Sequence, residues 1–493
     1  MNETLIQQYM DAISTNQMYN NNRAEWEFLL NSYMGGQEYA ETGLLTQYVN
    51  ETPSEYGARV SSTYLENHSK SVVSTYVSFL FRECPEREWG TLLAEPNLKK
   101  FLKDADMDGR SFDNFMKEVA VWSSVFGHCW IIVVKPNIGA TTLGDEVSIG
   151  VRPYLTLVTP LTVMDWAWER EVTGRHVLKY LKYTEDANDT FSTIREWSPE
   201  QITTTVVNHN EKAVESITTE VNGLGAIPAV ICYNQRSPVR GIGVSDISDI
   251  ARATKFVYNL TSEVEQSVRV NGHPALVKTV DTEAAAGAGA IVQMPDNLDP
   301  GLKPYMLDVS TDINSIYGAI NHTIESIDKM ANTGAIRATQ ARVLSGVAQE
   351  QEFQLLNAKL SEKADNLELA EEQIWQWYAT YQGRQWDGEI CYPDSFNIKD
   401  KASEIARLAQ AKAAATDPRV LALIDHEIIE WLGEDADIIM PEVVTLPNGE
   451  TVPYDSAEPF EPQEMFNPVD GSTVLAMAFD EKRQLMQAGW IES

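Results

Sequence analysis

The stretch "GVSDISDIARATKFVYNL" (residues 243–260) carries Ile247, Ile250, Ala253, Val257 and Leu260, and Val264 and Val268 continue the series beyond it. These residues recur at steps of three and four, which places them on one face of an α-helix. About 22 residues at a rise of 1.5 Å give a rod on the order of 33 Å long. A second series, Ile313, Ile316, Ile320, Ile324, Ile327 and Ala331, repeats the pattern. Asp246 and Asp312 stand where acidic residues favour the positive end of a helix dipole. Residues 272–310 lie between the two helices as a compact insert, with strand-like "PALVKTV", "GAIVQMP" and "KPYMLDV" separated by Gly- and Pro-containing turns. One subunit cannot bury both apolar stripes of such a pair. Side-by-side packing of copies around a closed ring can.

Downstream, "ANTGAIRATQARVLSG" (331–346) is a polar connection with Arg337 and Arg342 and no carboxylate, in a chain with 72 acidic and 38 basic residues. Phe353, Leu356, Leu360, Leu367, Ile374, Trp377 and Tyr381 then mark a third, longer helix, with Gly383 placed to stop it. "DKASEIARLAQAKAAA" and "VLALIDHEIIEWL" predict two more helices. The residues from Glu434 carry 13 carboxylates against Lys482 and Arg483, several prolines, and a last segment, "TVLAMAFDEKRQLMQAGW", that could make one helix.

Upstream, "NQRSPVRGIGVS" reads as a linker. Before it, "WIIVVKP", "RPYLTLVTP", "HVLKYLKYTED", "ITTTVVN" and "AIPAVICY" are short, rich in β-branched residues and bounded by Pro, Gly or Asn, as strands are. The first 120 residues read as mainly helical with polar breaks at "NNNR" and "TPSEYG". From Ser61 to Phe81, Leu65, Val72, Tyr76, Phe79 and Leu80 fall near one helical face, and Pro85 ends the run.

The bulk numbers bound the function. At 493 residues the chain has room for roughly three domains, and 43% hydrophobic with 22% charged residues is globular material. A net charge of −34 argues against a simple nucleic-acid binder, though not against a protein that nucleic acid passes without sticking. No apolar run reaches the roughly 20 residues that span a bilayer, and "MNETLIQQYMDAI" lacks the pattern of a secretory signal. Cys84, Cys129, Cys232 and Cys391 form no CxxC pair and read as thiols in a reducing compartment.

Catalytic and metal motifs are missing. There is no P-loop, HExxH or nucleophile elbow, and "AAAGAGA" (284–290) lacks the strand–turn–helix context of a phosphate cradle. His128 beside Cys129 reads as packing next to a buried strand. In "DADMDGRSFDNF", Asp104, Asp106, Asp108 and Gly109 match four positions of a calcium loop, but Phe115 stands where the bidentate Glu should be. The alternative is a turn capping a helix that starts near Ser111, with Phe112, Phe115 and Val119 facing inward. No catalytic residue, metal ligand or cofactor is therefore expected.

"DMDGRSFDNFMKEVAVWSSVFGHCWIIVVKP" followed by "VRPYLTLVTPLTVMDWAWER" resembles the wing region of tailed-bacteriophage portal proteins, with Arg152, Pro153, Tyr154, Leu155 and Trp166 carrying the match. The order that follows, a helix, a small insert, a second helix, a loop and a long helix near "SGVAQEQE", is also similar to a portal, and the resemblance runs from about Tyr56 to Asp425. The acidic end beyond Glu434 matches nothing in that pattern. The resemblance implies an α+β portal fold assembled as a ring. In it, residues 1–238 form a helical and then sheet-bearing wing, 239–271 a first stem helix and 272–310 a small α/β clip. Residues 311–331 form a second stem helix, 332–345 a tunnel loop, 346–383 a long wing helix, and 384–493 a helical crown with the acidic C-terminal segment.

It further implies a virion protein, made in the host cytoplasm and placed at one capsid vertex, through which double-stranded DNA is packaged and ejected. The implied partners are further copies of itself, as a homododecamer, the major capsid protein, the terminase large subunit and head–tail adaptor or tail proteins. DNA would pass without sequence specificity, and no membrane is involved. The tunnel loop would present Arg337, Thr339, Gln340 and Arg342 to DNA, and the clip would present Lys278, Asp281, Glu283, Asp296, Asp299 and Lys303 to motor or adaptor. Twelve copies would bring on the order of −400 formal charges to the ring. DNA carries one phosphate charge per roughly 1.7 Å, and a Debye length of about 8 Å lets an acidic wall act on it only in a narrow tunnel. The competing readings are a cytoplasmic α+β enzyme with an unrecognised site, or another virion connector component.

Overall fold

The computed structural model describes residues 3–136, 150–272, 276–277, 299, 305–306, 313–334, 346–393, 395–396, 401–415, 418–432, 443–445, 451–453, 463–466, 473–476 and 491–492. The chain divides into two units, Met1–Phe396 and Asn397–Ser493. The mixture of helix and antiparallel sheet agrees with the α+β expectation.

The first unit opens with helices α1 (Glu3–Ala12), α2 (Gln17–Met34), α3 (Gly36–Glu41), α4 (Pro53–Ser62) and α5 (His68–Leu80). Three local readings are corrected here. "NNNR" does not break the chain but lies inside α2, where Asn22 donates back to the Met18 carbonyl (2.8 Å) and Arg23 pairs with Glu27 (2.7 Å). The run from Ser61 to Phe81 is not one helix, because Asn67 caps α5 by accepting from the Lys70 N–H (2.8 Å). Val72, Tyr76 and Leu80 are buried as expected, but Leu65 falls outside α5 and packs in a separate cluster with Tyr39, Leu45 and Tyr258. "TPSEYG" begins a helix: Thr52 and Glu55 form a reciprocal capping box with Pro53 in the first turn.

Next come β1 (Glu86–Glu88), a 3-10 turn, α6 (Leu98–Lys103) and α7 (Phe112–Phe126). Ser111 caps α7, and Phe112, Phe115 and Val119 are buried. The chain turns from α7 into β2 (His128–Val134) at Gly127, whose φ is +88°. A Cβ there would stand 2.6 Å from the backbone of Gly243, so only glycine allows the two segments to touch. All of β2 is buried. Its alternation serves two cores, since Cys129, Ile131 and Val133 join the main one and Trp130, Ile132 and Val134 a second. β3 (Tyr154–Val158) and β9 (Ala229–Tyr233) flank β2 in an antiparallel three-stranded sheet.

Between them β4 (Val163–Arg170), β5 (His176–Ala187), β6 (Phe191–Trp197), β7 (Gln201–Asn208) and β8 (Ala213–Val221) form a five-stranded antiparallel meander in chain order. Helix α8 (Ser248–Gly272) starts two residues past Asp246. The short strands β10 (Leu276–Val277) and β11 (Tyr305–Met306) pair antiparallel and bring the ends of the insert together. Helix α9 (Ile313–Met330) then runs back along α8: Ile247, Ile250 and Ala251 share the main core with Ile327 and Ala331, while Val257 and Val264 cluster with Ile313, Ile316, Ile320 and Ile324. The pair is an antiparallel hairpin, so much of the two stripes is covered within one chain, contrary to the expectation that copies must cover them. Helix α10 (Gly346–Tyr381) spans 36 residues. β12 (Glu389–Cys391) pairs with β1, and the first unit runs to Phe396.

In the second unit α11 (Lys401–Ala414) and α12 (Pro418–Leu432) are the two expected helices, joined by a Lys412–Asp425 ion pair. β13 (Val443–Thr445) pairs with β14 (Thr451–Pro453). β15 (Gln463–Phe466) lies between β16 (Thr473–Ala476) and β17 (Ile491–Glu492). The helix expected from Thr473 is therefore replaced at its start by a strand whose β-branched residues pair with a neighbour.

Candidate functional site

The residues expected to act divide sharply. Arg337, Thr339, Gln340 and Arg342 of the loop, and Lys278, Asp281, Glu283, Asp296 and Lys303 of the insert, lie outside the described residues. Asp299 is described and exposed. What the structure does give is the frame that holds both segments: the hairpin α8–α9 and the root from which the loop departs.

The loop's departure point is fixed. Asn332 adopts φ +54°, and the Thr333 N–H donates to the Asp328 carbonyl (3.0 Å), closing α9 with a left-handed cap. The Tyr76 hydroxyl on α5 donates to the Ala331 carbonyl (2.5 Å), and Ala331 is fully buried.

Tyr76 also belongs to a buried polar cluster. Lys359 and Lys363, one turn apart on α10, approach the Tyr76 ring at 4.8 and 5.4 Å. Lys359 donates to the Tyr76 hydroxyl (3.2 Å) and pairs with Asp246 (3.2 Å). Lys363 pairs with the other Asp246 oxygen and donates to Asn234 and to Ser124 on α7 (3.1 Å). The Asp246 N–H donates to the Ser124 carbonyl (3.0 Å), and Asn234 donates to the Val244 carbonyl (2.9 Å). Burial pushes the Asp246 carboxyl up, but the two lysines and the hydrogen bonds from Lys363 and Asn234 outweigh it and hold the group below the usual carboxylate range. Burial opposes the charge on Lys359 as well, yet Asp246 and Tyr76 keep its pKa above the ordinary lysine value. One cluster thus ties the start of α8, the end of α9, α5, α7 and α10 to a single point.

Two further pairs brace the frame. Glu371 on α10 is fully buried and receives Arg87 through two nitrogens (2.5 and 3.2 Å), the Tyr392 hydroxyl (2.7 Å) and the Trp375 indole (3.2 Å). Arg59, also buried, pairs with Glu51 (2.7 Å) and donates to Ser262 on α8 (3.0 Å). The charged groups of these clusters pair with one another.

The exposed side chains of the hairpin differ. Phe256 is 52% exposed, Val268 54% and Tyr317 47%. Its described charges balance on α8, with Asp249, Glu263 and Glu265 against Arg252, Lys255 and Arg269. The acid surplus of the chain therefore lies outside α8 and is dense from Glu434, where 13 carboxylates stand against Lys482 and Arg483.

The apparent calcium loop is an arginine-braced turn. Asp104 pairs with Arg152 (2.8 Å) and accepts from the Gly109 N–H (2.8 Å), and Asp106 pairs with Arg110. Among the described residues no cluster of His, Cys, Asp or Glu could hold a metal ion. His128 is buried, accepts from the Gly243 N–H (3.2 Å), and is pushed down to about 3 by desolvation. The polar cluster itself was missed in the sequence, where Asp246 carried only a helix-dipole role. Two lysines four residues apart on the apolar side of α10 were the available signal.

No family model matches the chain, and no curated protein does. Two solved structures are similar at low identity. One is a chain from the neck of an empty gene transfer agent particle, computed with C6 symmetry, with 11% identity, a TM-score of 0.45, and coverage of 80% of this chain and 99% of that one. The other is a chain from the virion of a native gene transfer agent particle, with 13% identity, a TM-score of 0.43, and coverage of 72% and 89%. Likeness at that level carries no argument about this chain.

Proposed function

We propose that this chain is a portal: a non-enzymatic subunit that closes into a homo-oligomeric ring at one vertex of a viral capsid and forms the channel for double-stranded DNA. The observation that carries the reading is the α8–α9 hairpin, rooted by the Asp246 cluster and exposing Phe256, Val268 and Tyr317 along its length. A rod anchored at one end with apolar residues on its flank is suited to pack against identical rods around an axis. The portal-like order of segments from about Tyr56 to Asp425 supports the same reading. On it, the insert between β10 and β11 docks the packaging motor and later the tail adaptor, and the loop after Asn332 faces the DNA.

The decisive test is mass in solution with negative-stain imaging. Rings of about twelve copies are expected; a species no larger than a dimer at every salt concentration, with no rings on the grid, overturns the proposal. For the loop, Arg337→Glu with Arg342→Glu should leave assembly intact and impair DNA packaging or retention in particles. Normally filled heads from that double variant would remove the loop from the mechanism.

A further inference from the structure

A groove of about 800 Å³ opens in the first unit between β4 and β5, β9, the segment after β9 and helix α10. Its cationic side chains are Arg175, Arg236 and Arg240. All three are exposed, and among the described residues none has a carboxylate within ion-pair distance. Two are held in place by rings: Arg236 lies 5.5 Å from the centroid of Tyr233, and Arg240 5.5 Å from that of Trp168. The loop between them is itself braced, since the Ser237 hydroxyl accepts from the Val239 N–H (3.1 Å) and donates to the Ile242 carbonyl (2.8 Å). The Trp168 indole N–H, in the same wall, is buried without a hydrogen-bond partner. Leu369 and Trp377 of α10 supply an apolar floor, and Glu171 and Glu372 are the groove's acids.

This combination points to one kind of occupant. Fixed arginines on aromatic platforms beside an apolar floor are the composition of a protein-binding hot spot. The donors need carboxylate or carbonyl acceptors, and Glu171 and Glu372 in the lining disfavour a continuous polyanion. Further copies of this chain, with 72 acids to 38 bases each, supply such carboxylates. We infer that the groove seats an acidic, apolar-flanked segment of a second copy of this chain, with Arg236 and Arg240 as the anchors. The inference specifies a contact within the proposed assembly and rests on that reading for its setting.

The test is isotope-mixed cross-linking of the full-length protein. Arg236→Lys with Arg240→Lys keeps the charges and makes both positions reactive to a zero-length carbodiimide, which joins an amine to a carboxylate with loss of water. Equal parts of ¹⁴N and ¹⁵N protein should yield cross-linked peptides of mixed isotope containing position 236 or 240 and an Asp or Glu of the other copy. In parallel, Arg236→Glu with Arg240→Glu should weaken self-association by about 100-fold or more, as loss of two anchor residues does, with an unchanged thermal unfolding midpoint. Cross-links only within one isotope, or none, overturn the inference. So does self-association of the Glu double variant equal to wild type, even though rings would then still stand as the assembly. A Lys double variant that forms no rings yet gives mixed-isotope cross-links at these positions overturns the ring and keeps the groove. A double-stranded DNA probe retained by wild type and lost in the Glu variant, without mixed cross-links, would assign the groove to nucleic acid and overturn the inference.

Discussion

The two ends of the α8–α9 hairpin are built on opposite principles. At the root, apolar residues from five helices and a sheet surround a cluster in which Asp246, Lys359, Lys363, Asn234, Ser124 and Tyr76 satisfy one another. Farther out, α8 and α9 meet through Val257, Val264 and Ile320, another side of α8 is covered by Tyr39 and Leu45 against Tyr258 and by Arg59 on Ser262, and Phe256, Val268 and Tyr317 stay half exposed. At the root Asp246 pairs with both lysines and the apolar groups are covered. The distal part leaves apolar surface uncovered. A chain made this way is pre-organised at the root and, on the proposed ring, unfinished where rods would meet.

The harshest way to break this contrast is to remove the acid at the root. Asp246→Ala leaves two lysines buried without their counter-charge, and breaking one side of a buried ion pair costs about 3–5 kcal/mol. The urea midpoint of the variant should fall accordingly, and Asp246→Asn, which keeps an acceptor but not the charge, should fall less. A midpoint shift under about 1 kcal/mol would mean that water reaches the lysines and that the root is looser than its geometry implies.

A titration sharpens the contrast next. His128, in the wall of the root, has a folded pKa of about 3 set by desolvation, against about 6.5 in the unfolded chain. Between those values the unfolded state binds a proton that the folded state refuses. Stability is therefore whole above about pH 6.5 and falls by up to about 1.4 kcal/mol per pH unit toward pH 3. Asp246 adds a separate loss only below the usual carboxylate range, because its folded pKa is depressed. His128→Asn retains an acceptor for the Gly243 N–H and should flatten the slope between pH 6 and 4.5, read as urea midpoints against pH. An unchanged slope would assign the acid sensitivity to other groups.

Much of this frame was legible in the chain. Steps of three and four marked α8, α9 and α10 because amphipathic helices announce their buried face, and Ser111 announced its cap. The reading failed where the deciding partner is remote or local hydrogen bonds override propensity. Asp246 read as a dipole residue, since Lys363 is 117 positions away. "NNNR" read as a break, although Asn22 closes onto its own helix. β6 and β8 went unread because their sequences, "FSTIREW" and "AVESITTEV", are too polar to announce strands, and cross-strand pairing rather than apolar alternation specifies them. The groove was invisible for the same reason. Its arginines, tyrosine and tryptophans come from three separate stretches that only the fold brings together.

The smallest effect on the isolated fold should come from the distal face, and that is what makes it informative. Phe256→Ser with Val268→Ser changes two side chains that are already more than half exposed, so the unfolding free energy of a lone subunit should move by no more than about 0.5 kcal/mol per site. If rods pack flank to flank, each apolar side chain leaves water only on assembly, at roughly 25 cal/mol per Å² of buried apolar area. Losing one such contact, worth about 1.4 kcal/mol, weakens association about tenfold. Sedimentation or mass photometry across a dilution series should therefore show a dissociation shift of about 100-fold with an intact monomer, the reverse of what Asp246→Ala does. Equal association of variant and wild type would put that flank on the open channel instead, and the covering contacts between copies would then have to come from the wing.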